Sequence, residues 1–339
     1  MKKLSSKQEL IVCIAIILVA VIITIVITTN IIKNNKVANE GYAATTANAN
    51  SNLVAIYIKK GITIGGITGT LESLDTSDAT ASPEDIALGK TAYVDGKKII
   101  GTRDDREKIS KSLSYVGYYA DIDDNGTVDG IIYADLAIGG GGQWVNTNGN
   151  YEVDKIQEVE SIKDYYISQS TYEGKLGTKS VISLIGGEKE RFYVMALEDI
   201  DEIEHYFYYN GYMTDYTTAT SKDFGKGMSN TITMINKWKN SEYGTQNSND
   251  VWALIQEKVE QGWFVPSIEE WAAFAGNLEI NTSNFGEKGI QNWYWSSSQF
   301  DTTHSWYINF NVGQIFGSTI DWQRCYISNS LYIRLSTVF

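Results

Sequence analysis

The spacing of apolar positions changes several times along the chain, and each change predicts a different kind of element. The first is an uncharged apolar run at 10–29, long enough to cross a bilayer core of roughly 30 Å. Lys2, Lys3 and Lys7 precede this run, which favours a cytoplasmic N-terminus. The pattern predicts a single-pass membrane anchor over 1–36, with the residues that follow it outside the cell.

Two other interpretations of this N-terminal run stay open. A cleaved signal peptide is also apolar, although its apolar region is normally only about 7–15 residues long. Glu9 stands just ahead of the run, as in the stem of a type IV pilin. However, Leu4, Ser5 and Ser6 occupy the place of the Gly–Phe processing junction of that family.

Small polar residues and then two related glycine-containing units follow the predicted anchor. Residues 37–54 have no apolar periodicity, which predicts a flexible linker. The units GITIGGITGT (61–70) and GKTAYVDGKKIIGT (89–102) both place a glycine turn between apolar positions. They resemble modules of phage tail fibres and bacterial surface proteins. We predict a stalk of small β-hairpin repeats over 55–110.

Two local signals refine the prediction for the second repeat. The Asp95-Gly96 pair lies between apolar residues, which is a strong short-range signal for a β-hairpin. Ser82 and Pro83 precede the same unit and predict a helix start, with the serine as N-cap and the proline in the first turn.

From about Lys111 onward, short strand-like runs alternate with long stretches rich in Gly, Ser, Thr and Asn. The runs DGIIYADLAI (129–138) and RFYVMALEDI (191–200) predict strands. Few helices among many short strands and long loops are typical of the α+β class. We therefore predict one α+β domain over 111–339.

Two stretches of that domain have apolar positions at helical spacing. They are SNDVWALIQEKVEQG (248–262) and SIEEWAAFAGNL (267–278). The second opens as a capping box, with Ser267 three residues ahead of Glu270. Between them, GWFVP (262–266) predicts an apolar, strand-like connector.

Composition narrows the range of functions. The chain of 339 residues has a formal net charge of −13, and this argues against a nucleic-acid partner, which requires clustered Lys and Arg. The 22 tyrosines suit a β-rich fold or a binding surface. Cys13 and Cys325 would lie in different compartments, so we predict neither a disulfide framework nor a cysteine zinc site.

The sequence DIDDNGTVDG (121–130) places oxygen ligands at alternate positions: Asp121, Asp123, Asn125 and then Asp129. Such spacing can wrap one hard cation, so calcium is a candidate cofactor at these four residues. The pattern departs from the EF-hand, whose loop ends in a bidentate glutamate at position twelve. A plain acidic turn built on Asn125-Gly126 is the alternative, and it stays open.

The order of elements in the C-terminal part is familiar. It runs from GWFVPSIEEWAAFAGNL (262–278) through WSSS (295–298) and SWYINF (305–310) to YIRL (332–335). This order resembles the C-type-lectin-fold domains related to formylglycine-generating enzymes. Within that group, it is similar to the variable proteins of diversity-generating retroelements. The resemblance implies a C-type-lectin-like domain at the C-terminus.

The resemblance also implies two sets of residues, because retroelement diversification leaves a fixed scaffold between positions of varied chemistry. The scaffold would be Trp293, Trp295, Ser296, Ser297, Trp306, Asn309, Phe310, Gly313 and Arg334. The ligand-binding positions would be Phe300, Asp301, Thr303, His304, Tyr307, Val312, Phe316, Ser318, Ile320, Asp321, Trp322, Arg324, Cys325, Tyr326, Ser328, Ser330 and Tyr332.

The alternation of side chains in 305–310 supports the same division into scaffold and binding positions, independently of the family resemblance. Trp306, Ile308 and Phe310 alternate with Tyr307 and Asn309, which predicts one buried and one more exposed set. Aromatic anchors surrounded by small adaptable residues make an effective binding surface. We expect the frame to be core and the interleaved positions to be exposed.

No arrangement in the sequence predicts an enzyme. Formylglycine generation needs a pair of active-site cysteines, and the C-terminal domain has only Cys325. His205 and His304 are far apart and have no metal-ligand spacing. The acidic segment EDIDEIE (198–204) is a candidate for acid–base chemistry, but a solvated turn is far commoner.

The sequence thus predicts a membrane-anchored, surface-displayed binding protein whose C-terminal domain lies outside the cell. Its partner would be an external protein or glycan, contacted through a hypervariable surface. A carbohydrate-binding adhesin of fixed specificity is the alternative, and a pilin-like surface subunit is another.

Overall fold

A computed structural model describes most of the chain after the predicted anchor. The described residues are 53–72, 76–139, 151–157, 161–213, 220–240, 245–311 and 321–339. The predicted anchor, 1–36, and nearly all of the predicted linker lie outside them. Among the described residues, no helix is long and apolar enough to cross a membrane. The chain divides into two compact units between Asp104 and Asp105, a few residues before the boundary that we predicted.

The described residues of the first unit contain two antiparallel hairpins with the same arrangement of turn and strands. Their strands are β1 (Thr63–Ile64), β2 (Ile67–Thr68), β3 (Thr91–Val94) and β4 (Lys97–Ile100), paired β1 with β2 and β3 with β4. A single 3₁₀ turn precedes each hairpin, at Ala55–Tyr57 and at Pro83–Asp85. The predicted helix start at Ser82 is therefore one capped turn, because Ile86 already has extended backbone angles.

The Asp95-Gly96 turn joins β3 to β4 as the sequence predicted. Both residues have positive φ angles, 47° for Asp95 and 70° for Gly96. Two successive positive φ values are the requirement of a type I′ turn, whose twist matches that of the flanking strands. The hairpin prediction is confirmed.

Each hairpin is fastened at its base by a glycine. Gly69 and Gly101 are the equivalent residues, and both are buried. A Cβ atom on either would collide with backbone carbonyl oxygens, those of Ile58 and Lys59 at the first and Ile86 and Ala87 at the second. The chain can pass this closely to itself only where no side chain intervenes.

The second unit is built around a six-stranded sheet. Its strands are β5 (Tyr119–Asp121), β6 (Gly130–Asp135), β7 (Asp164–Gly174), β8 (Gly177–Gly186), β9 (Phe192–Ala196) and β15 (Ser336–Val338). They lie in the order β15-β9-β6-β5-β8-β7. Only the β5–β8 pair is parallel among these strands. The strands predicted within 129–138 and 191–200 are confirmed as β6 and β9.

Two smaller sheets lie in the same unit. Their strands are β10 (His205–Tyr206) with β14 (Ser330–Leu331), and β11 (Trp293–Gln299), β12 (His304–Asn309) and β13 (Asp321–Tyr326). The second of these sheets has the order β11-β12-β13 and is antiparallel throughout. It contains seven of the seventeen predicted binding positions, two in β12 and five in β13.

The described residues of this unit contain four α-helical segments. They are α1 (Gly227–Lys239), α2 (Val251–Leu254), α3 (Gln256–Glu260) and α4 (Ile268–Asn277). Helix α4 begins at Ser267 with the predicted capping box. The helix predicted over 248–262 is two short segments separated at Ile255, whose ψ of 2° departs from helical geometry. A few helices among many strands confirm the α+β class.

Helix α4 carries the main core between the large sheet and the β11–β13 sheet. Trp271 and Phe274 are fully buried on it, and their rings pack edge to face against one another at 5.8 Å. Tyr133 of β6 contacts Phe274, whereas Tyr294 of β11 contacts Trp271 at 4.7 Å. The predicted binding strands are therefore attached to the core through a helix that buries aromatic residues on both sides.

Candidate functional site

The register of β12 against β13 divides the predicted binding positions between two faces of one sheet. Side chains of directly opposite residues lie on the same face. His304, Trp306 and Ile308 are opposite Tyr326, Arg324 and Trp322, and the residues between them, Ser305, Tyr307 and Asn309, are opposite Cys325, Gln323 and Asp321. The predicted positions therefore form two surfaces and not one.

The first surface combines aromatic rings and cations. We call it the aromatic–arginine face, formed by Phe300, His304, Trp306, Arg324 and Tyr326. The Phe300 and Trp306 rings meet edge to face at 5.2 Å, and the Arg324 guanidinium lies 4.8 Å from the Phe300 ring centroid. The His304 and Tyr326 rings lie 4.2 Å apart, and Tyr326 is 59% exposed. This face combines aromatic surface with the positive charge of Arg324, and its most exposed residues are Arg324 and Tyr326.

Lys222, from the segment before α1, adds a second cation to that face. Its ammonium nitrogen lies 5.4 Å from the Trp306 ring centroid. Asp301 organises the turn that leads into β12, because its Oδ1 accepts the backbone N–H groups of Thr303 and His304 at 2.7 and 2.8 Å. Asp301 and Thr303, both predicted as binding positions, therefore have a structural task in this turn as well.

The second surface is a cavity of about 560 Å³, which we call the Tyr307 pocket. The predicted positions that line it are Tyr307, Cys325, Ser328 and Ser330. Three further residues line it: Glu204, which directly precedes β10, Tyr206 of β10 and Trp293 of β11. Trp293 was predicted as a scaffold residue, and no role in binding was predicted for Glu204 or Tyr206.

Hydrogen bonds fix the side chains of this pocket. The Trp293 indole N–H donates to Glu204 Oε1 at 2.9 Å, and the Tyr307 hydroxyl donates to Gln323 Oε1 at 3.0 Å. The Asn329 amide lies 3.0 Å from the Cys325 sulfur. Burial raises the pKa of the Cys325 thiol, so this group is neutral near pH 7.

Trp322 does not belong to either surface, and its prediction as a binding position is wrong. It is only 4% exposed and packs in the core with Ile308 and Trp271. Tyr332 is half-buried and packs against the same core, with its ring 6.2 Å from that of Tyr294. The predicted positions Val312, Phe316, Ser318 and Ile320, and the scaffold residue Gly313, lie outside the described residues.

The predicted frame is buried only in part. The buried members are Trp295, Ser296, Ser297, Phe310 and Arg334, whereas Trp293, Trp306 and Asn309 are half-buried. Trp295 is fully buried, and its indole N–H donates to the carbonyl of His205 at 2.8 Å. The hydroxyl of Ser296 donates to the carbonyl of Trp306 at 2.7 Å, and Ser298 donates to the carbonyl of Ser221 at 2.8 Å. Small hydroxyl residues therefore satisfy backbone groups where no water can reach them.

Arg334 fixes the end of the frame to the loop after β9. Its Nε donates to Asp199 Oδ1 at 2.7 Å, and Nη2 donates to the carbonyl of Gly289 at 2.8 Å. Burial raises the pKa of Asp199, although the Arg334 charge opposes the shift. The same loop holds His205 through Asp201 at 2.7 Å. The acidic segment 198–204 thus has structural partners at these positions.

The Asp-rich segment forms a tight loop after β5. Carboxylate oxygens of Asp121, Asp123 and Asp129 all lie within 4.8 Å of one another, so these three residues could hold a metal ion. Asp121 also accepts the backbone N–H groups of Asn125 and Gly126, at 3.0 and 2.9 Å. The loop is therefore both a hydrogen-bonded turn and a cluster of oxygen donors.

Asn125 contributes differently from the expected fourth ligand. Its Oδ1 accepts the backbone N–H of Thr127 at 2.7 Å, and its amide nitrogen donates to Asp123 at 2.8 Å. Burial raises the pKa of Asp129, and the nearby charges of Asp123 and Asp121 raise it further. A bound cation would reverse this unfavourable clustering of negative charge.

Comparison with known proteins gives no relative on which to base a function. No protein-family model, no curated protein and no solved structure matches the chain.

Proposed function

We propose that this chain is a surface-displayed binding protein and that its C-terminal domain, of C-type-lectin-like fold, engages an external ligand through β12, β13 and the turns beside them. The observation that carries the proposal is the contrast between a buried frame and accessible neighbours on the same strands. Trp295 and Ser296 are fully buried, whereas Arg324 and Tyr326 are exposed. Such an arrangement allows the accessible residues to vary while the frame keeps the fold.

The chemistry of the accessible positions supports this role. Aromatic and arginine side chains dominate the binding energy of most protein interfaces. Phe300, Arg324 and Tyr326 are held by ring stacking and a cation–π contact, so little conformational entropy is lost when a ligand covers them. We propose that these positions belong to a hypervariable, retroelement-diversified set and that the domain is a receptor and not an enzyme.

The same proposal places the chain in the cell membrane, with its C-terminal domain outside. The uncharged run at 10–29 and the lysines before it support a single-pass anchor. Protease added to intact cells should then remove the C-terminal domain. A domain that survives until the cells are lysed would contradict this topology.

We also propose calcium as the ion of the Asp121 loop. Clustered carboxylates on a tight turn suit a hard cation that takes oxygen ligands in flexible geometry. The ion would stabilise the turn between β5 and β6. Its role would be structural, because the loop shares no residue with the aromatic–arginine face or the Tyr307 pocket.

Paired libraries test the receptor proposal. The first varies Phe300, His304, Arg324 and Tyr326 on the displayed full chain, and the control library varies the buried residues Trp295 and Ile308. We expect most members of the first library to fold and some to bind new protein or glycan targets, whereas most control members should not fold. Equal loss of folding in both libraries would overturn the proposal. A fixed-specificity adhesin would lose its one ligand and gain none.

A further inference from the structure

The Tyr307 pocket brings aromatic rings from three strands to one cavity. Tyr206 of β10, Trp293 of β11 and Tyr307 of β12 all line it, and each is half-buried. Their sequence positions are far apart, so the fold alone creates this convergence. Faces of aromatic rings carry negative charge density and attract cations.

A carboxylate stands beside these rings. Glu204 lines the same cavity and is fixed there by the hydrogen bond from the Trp293 indole. The Cys325 thiol is neutral, and no lysine or arginine among the described residues lines the pocket. Asp321 adds negative charge on the same face of the sheet, opposite Asn309. The electrostatic character of the cavity is therefore negative.

The aromatic–arginine face on the other side of the sheet has the opposite character. There, Arg324 already lies over the Phe300 ring and Lys222 over the Trp306 ring. In that region the protein's own cations already make cation–π contacts with the aromatic rings. The rings of the Tyr307 pocket have no such cation among the described residues, so a ligand cation can take this place.

The cavity is an open cleft with room for an ammonium group together with the chain that carries it. Its volume of about 560 Å³ lies in the range of small-molecule sites. Leu331 closes it on the core side, and Trp293, Tyr307 and Cys325 pack against the same apolar cluster. Partial exclusion of water strengthens both the cation–π attraction and the attraction to Glu204.

We propose that the Tyr307 pocket binds an organic ammonium group, presented by a lysine side chain or a methylated amine of the external ligand. The inference rests on the proposed binding function and names the chemistry of one of its two surfaces. Glu204 supplies the negative charge, and Tyr206, Trp293 and Tyr307 form the aromatic walls. Primary and quaternary amines share this chemistry, and the choice of probes separates them.

The test uses the full chain in detergent and follows tryptophan indole N–H signals by NMR. The probes are choline, N-acetyl-lysine amide and 3,3-dimethylbutan-1-ol, the neutral isostere of choline. We expect at least one amine to bind with a Kd in the millimolar range and the neutral isostere to bind at least tenfold more weakly. Tighter binding of choline would indicate a methylated amine, and tighter binding of the lysine derivative a lysine side chain.

Two variants and one matched control make the assignment specific. Glu204→Gln should weaken amine binding about tenfold, and its amide oxygen can still accept from Trp293. Tyr206→Leu should also weaken it, because one aromatic wall is lost. Glu202→Gln removes an exposed carboxylate from the same loop but outside the pocket, and it should change the Kd less than twofold.

Three results would overturn the ammonium assignment. They are equal binding of the neutral isostere, an unchanged Kd in Glu204→Gln, and no binding of either amine. If these results occur while the library of the aromatic–arginine face still yields binders, only the ammonium assignment fails. If that library unfolds, the receptor proposal fails on its own evidence, whatever the amines do.

Discussion

Glu270 Oε1 accepts the backbone N–H of Gly227 at 3.2 Å, so a side chain of α4 satisfies the first backbone donor of α1. The same carboxylate accepts the N–H of Ser267 at 2.7 Å at the start of its own helix, and that of Gly225 at 3.0 Å. Because Glu270 is fully buried, desolvation raises its pKa to about 7, although these three hydrogen bonds oppose the shift.

Because of this buried carboxyl group, we expect the free energy of unfolding to decrease as the pH rises. Its pKa in the folded state lies above the value of 4.5 expected in the unfolded chain, so the folded state holds the proton more tightly. The stabilisation of the folded state by the protonated carboxyl is complete below pH 4.5 and is lost as the pH rises through about 7. A shift of this size corresponds to about 3 kcal/mol.

Urea denaturation between pH 4.5 and 7.5 checks this prediction. Glu270→Gln should flatten the pH dependence relative to the unmodified chain and should also lower stability, because the amide offers only one acceptor oxygen. Glu257→Gln, at an exposed position of α3, should leave the pH profile unchanged. Identical profiles for Glu270→Gln and the unmodified chain would assign the pH dependence to other groups.

Calcium should raise the melting temperature of the second unit. An ion that binds only the folded state stabilises it by mass action, by about 2.7 kcal/mol when its concentration is one hundred times the Kd. Asp123→Asn should lose this response. Asp124→Asn is the matched control, because Asp124 bonds to Tyr166 and does not belong to the carboxylate cluster. If neither calcium nor a chelator shifts the melting curve, the loop is a hydrogen-bonded acidic turn that binds no calcium.

Buried and exposed positions of the three-stranded sheet should respond oppositely to truncation. Trp295→Ala and Trp322→Ala each remove a buried indole and should cost roughly 3–5 kcal/mol in the free energy of unfolding. Arg324→Ser and Tyr326→Ser lie at exposed positions and should each stay within about 0.5 kcal/mol. Chemical denaturation measures all four, and comparable losses in both pairs would mean that the surface pair is part of the core.

A buried ion pair should be essential to the large sheet. Arg191 donates from Nε and Nη2 to Asp135 at 2.8 and 2.9 Å, and it also donates to the carbonyls of Ser110 and Leu113. Arg191→Met leaves a buried carboxylate without its partner and should cost about 3–5 kcal/mol.

The matched control for this pair is Lys111→Met. Lys111 pairs with Asp164 at 3.4 Å in the same unit, but both side chains are exposed, so its loss should cost less than about 1 kcal/mol. Denaturation of both variants at one pH gives the comparison. A small loss for Arg191→Met would mean that the hydrogen bonds of Asp135 to backbone groups suffice without the arginine.

Local signals predicted the elements whose stability is local. The capping box of Ser267 and Glu270 lies within four residues, and the Asp95-Gly96 turn fixes its own hairpin. Helix α1 was missed, because β-branched residues such as Thr231 and Ile235 favour strands. Its N-terminus is capped by Glu270, from a later part of the chain, and no local pattern announces such a partner.

The site was predictable in composition but not in arrangement. The alternation of β12 correctly predicted that Ile308 is buried and Tyr307 is less so. The register of β13 places Trp322 opposite Ile308, and the sequence of β13 alone does not specify this pairing. Glu204 was interpreted as part of a solvated turn, because its role depends on Trp293, which lies far from it in sequence.

The two hairpins of the first unit differ in length but not in their attachment. Strands β1 and β2 have 2 residues each, and β3 and β4 have 4, whereas the glycine contacts at the base are the same in both. The second hairpin is therefore longer on the side of its turn, and the contacts of the glycine at its base are those of the shorter hairpin. A longer hairpin could therefore be built by lengthening β3 and β4 together with the Asp95-Gly96 turn kept at the tip, whereas an insertion beside Gly101 would break the close contacts at the base.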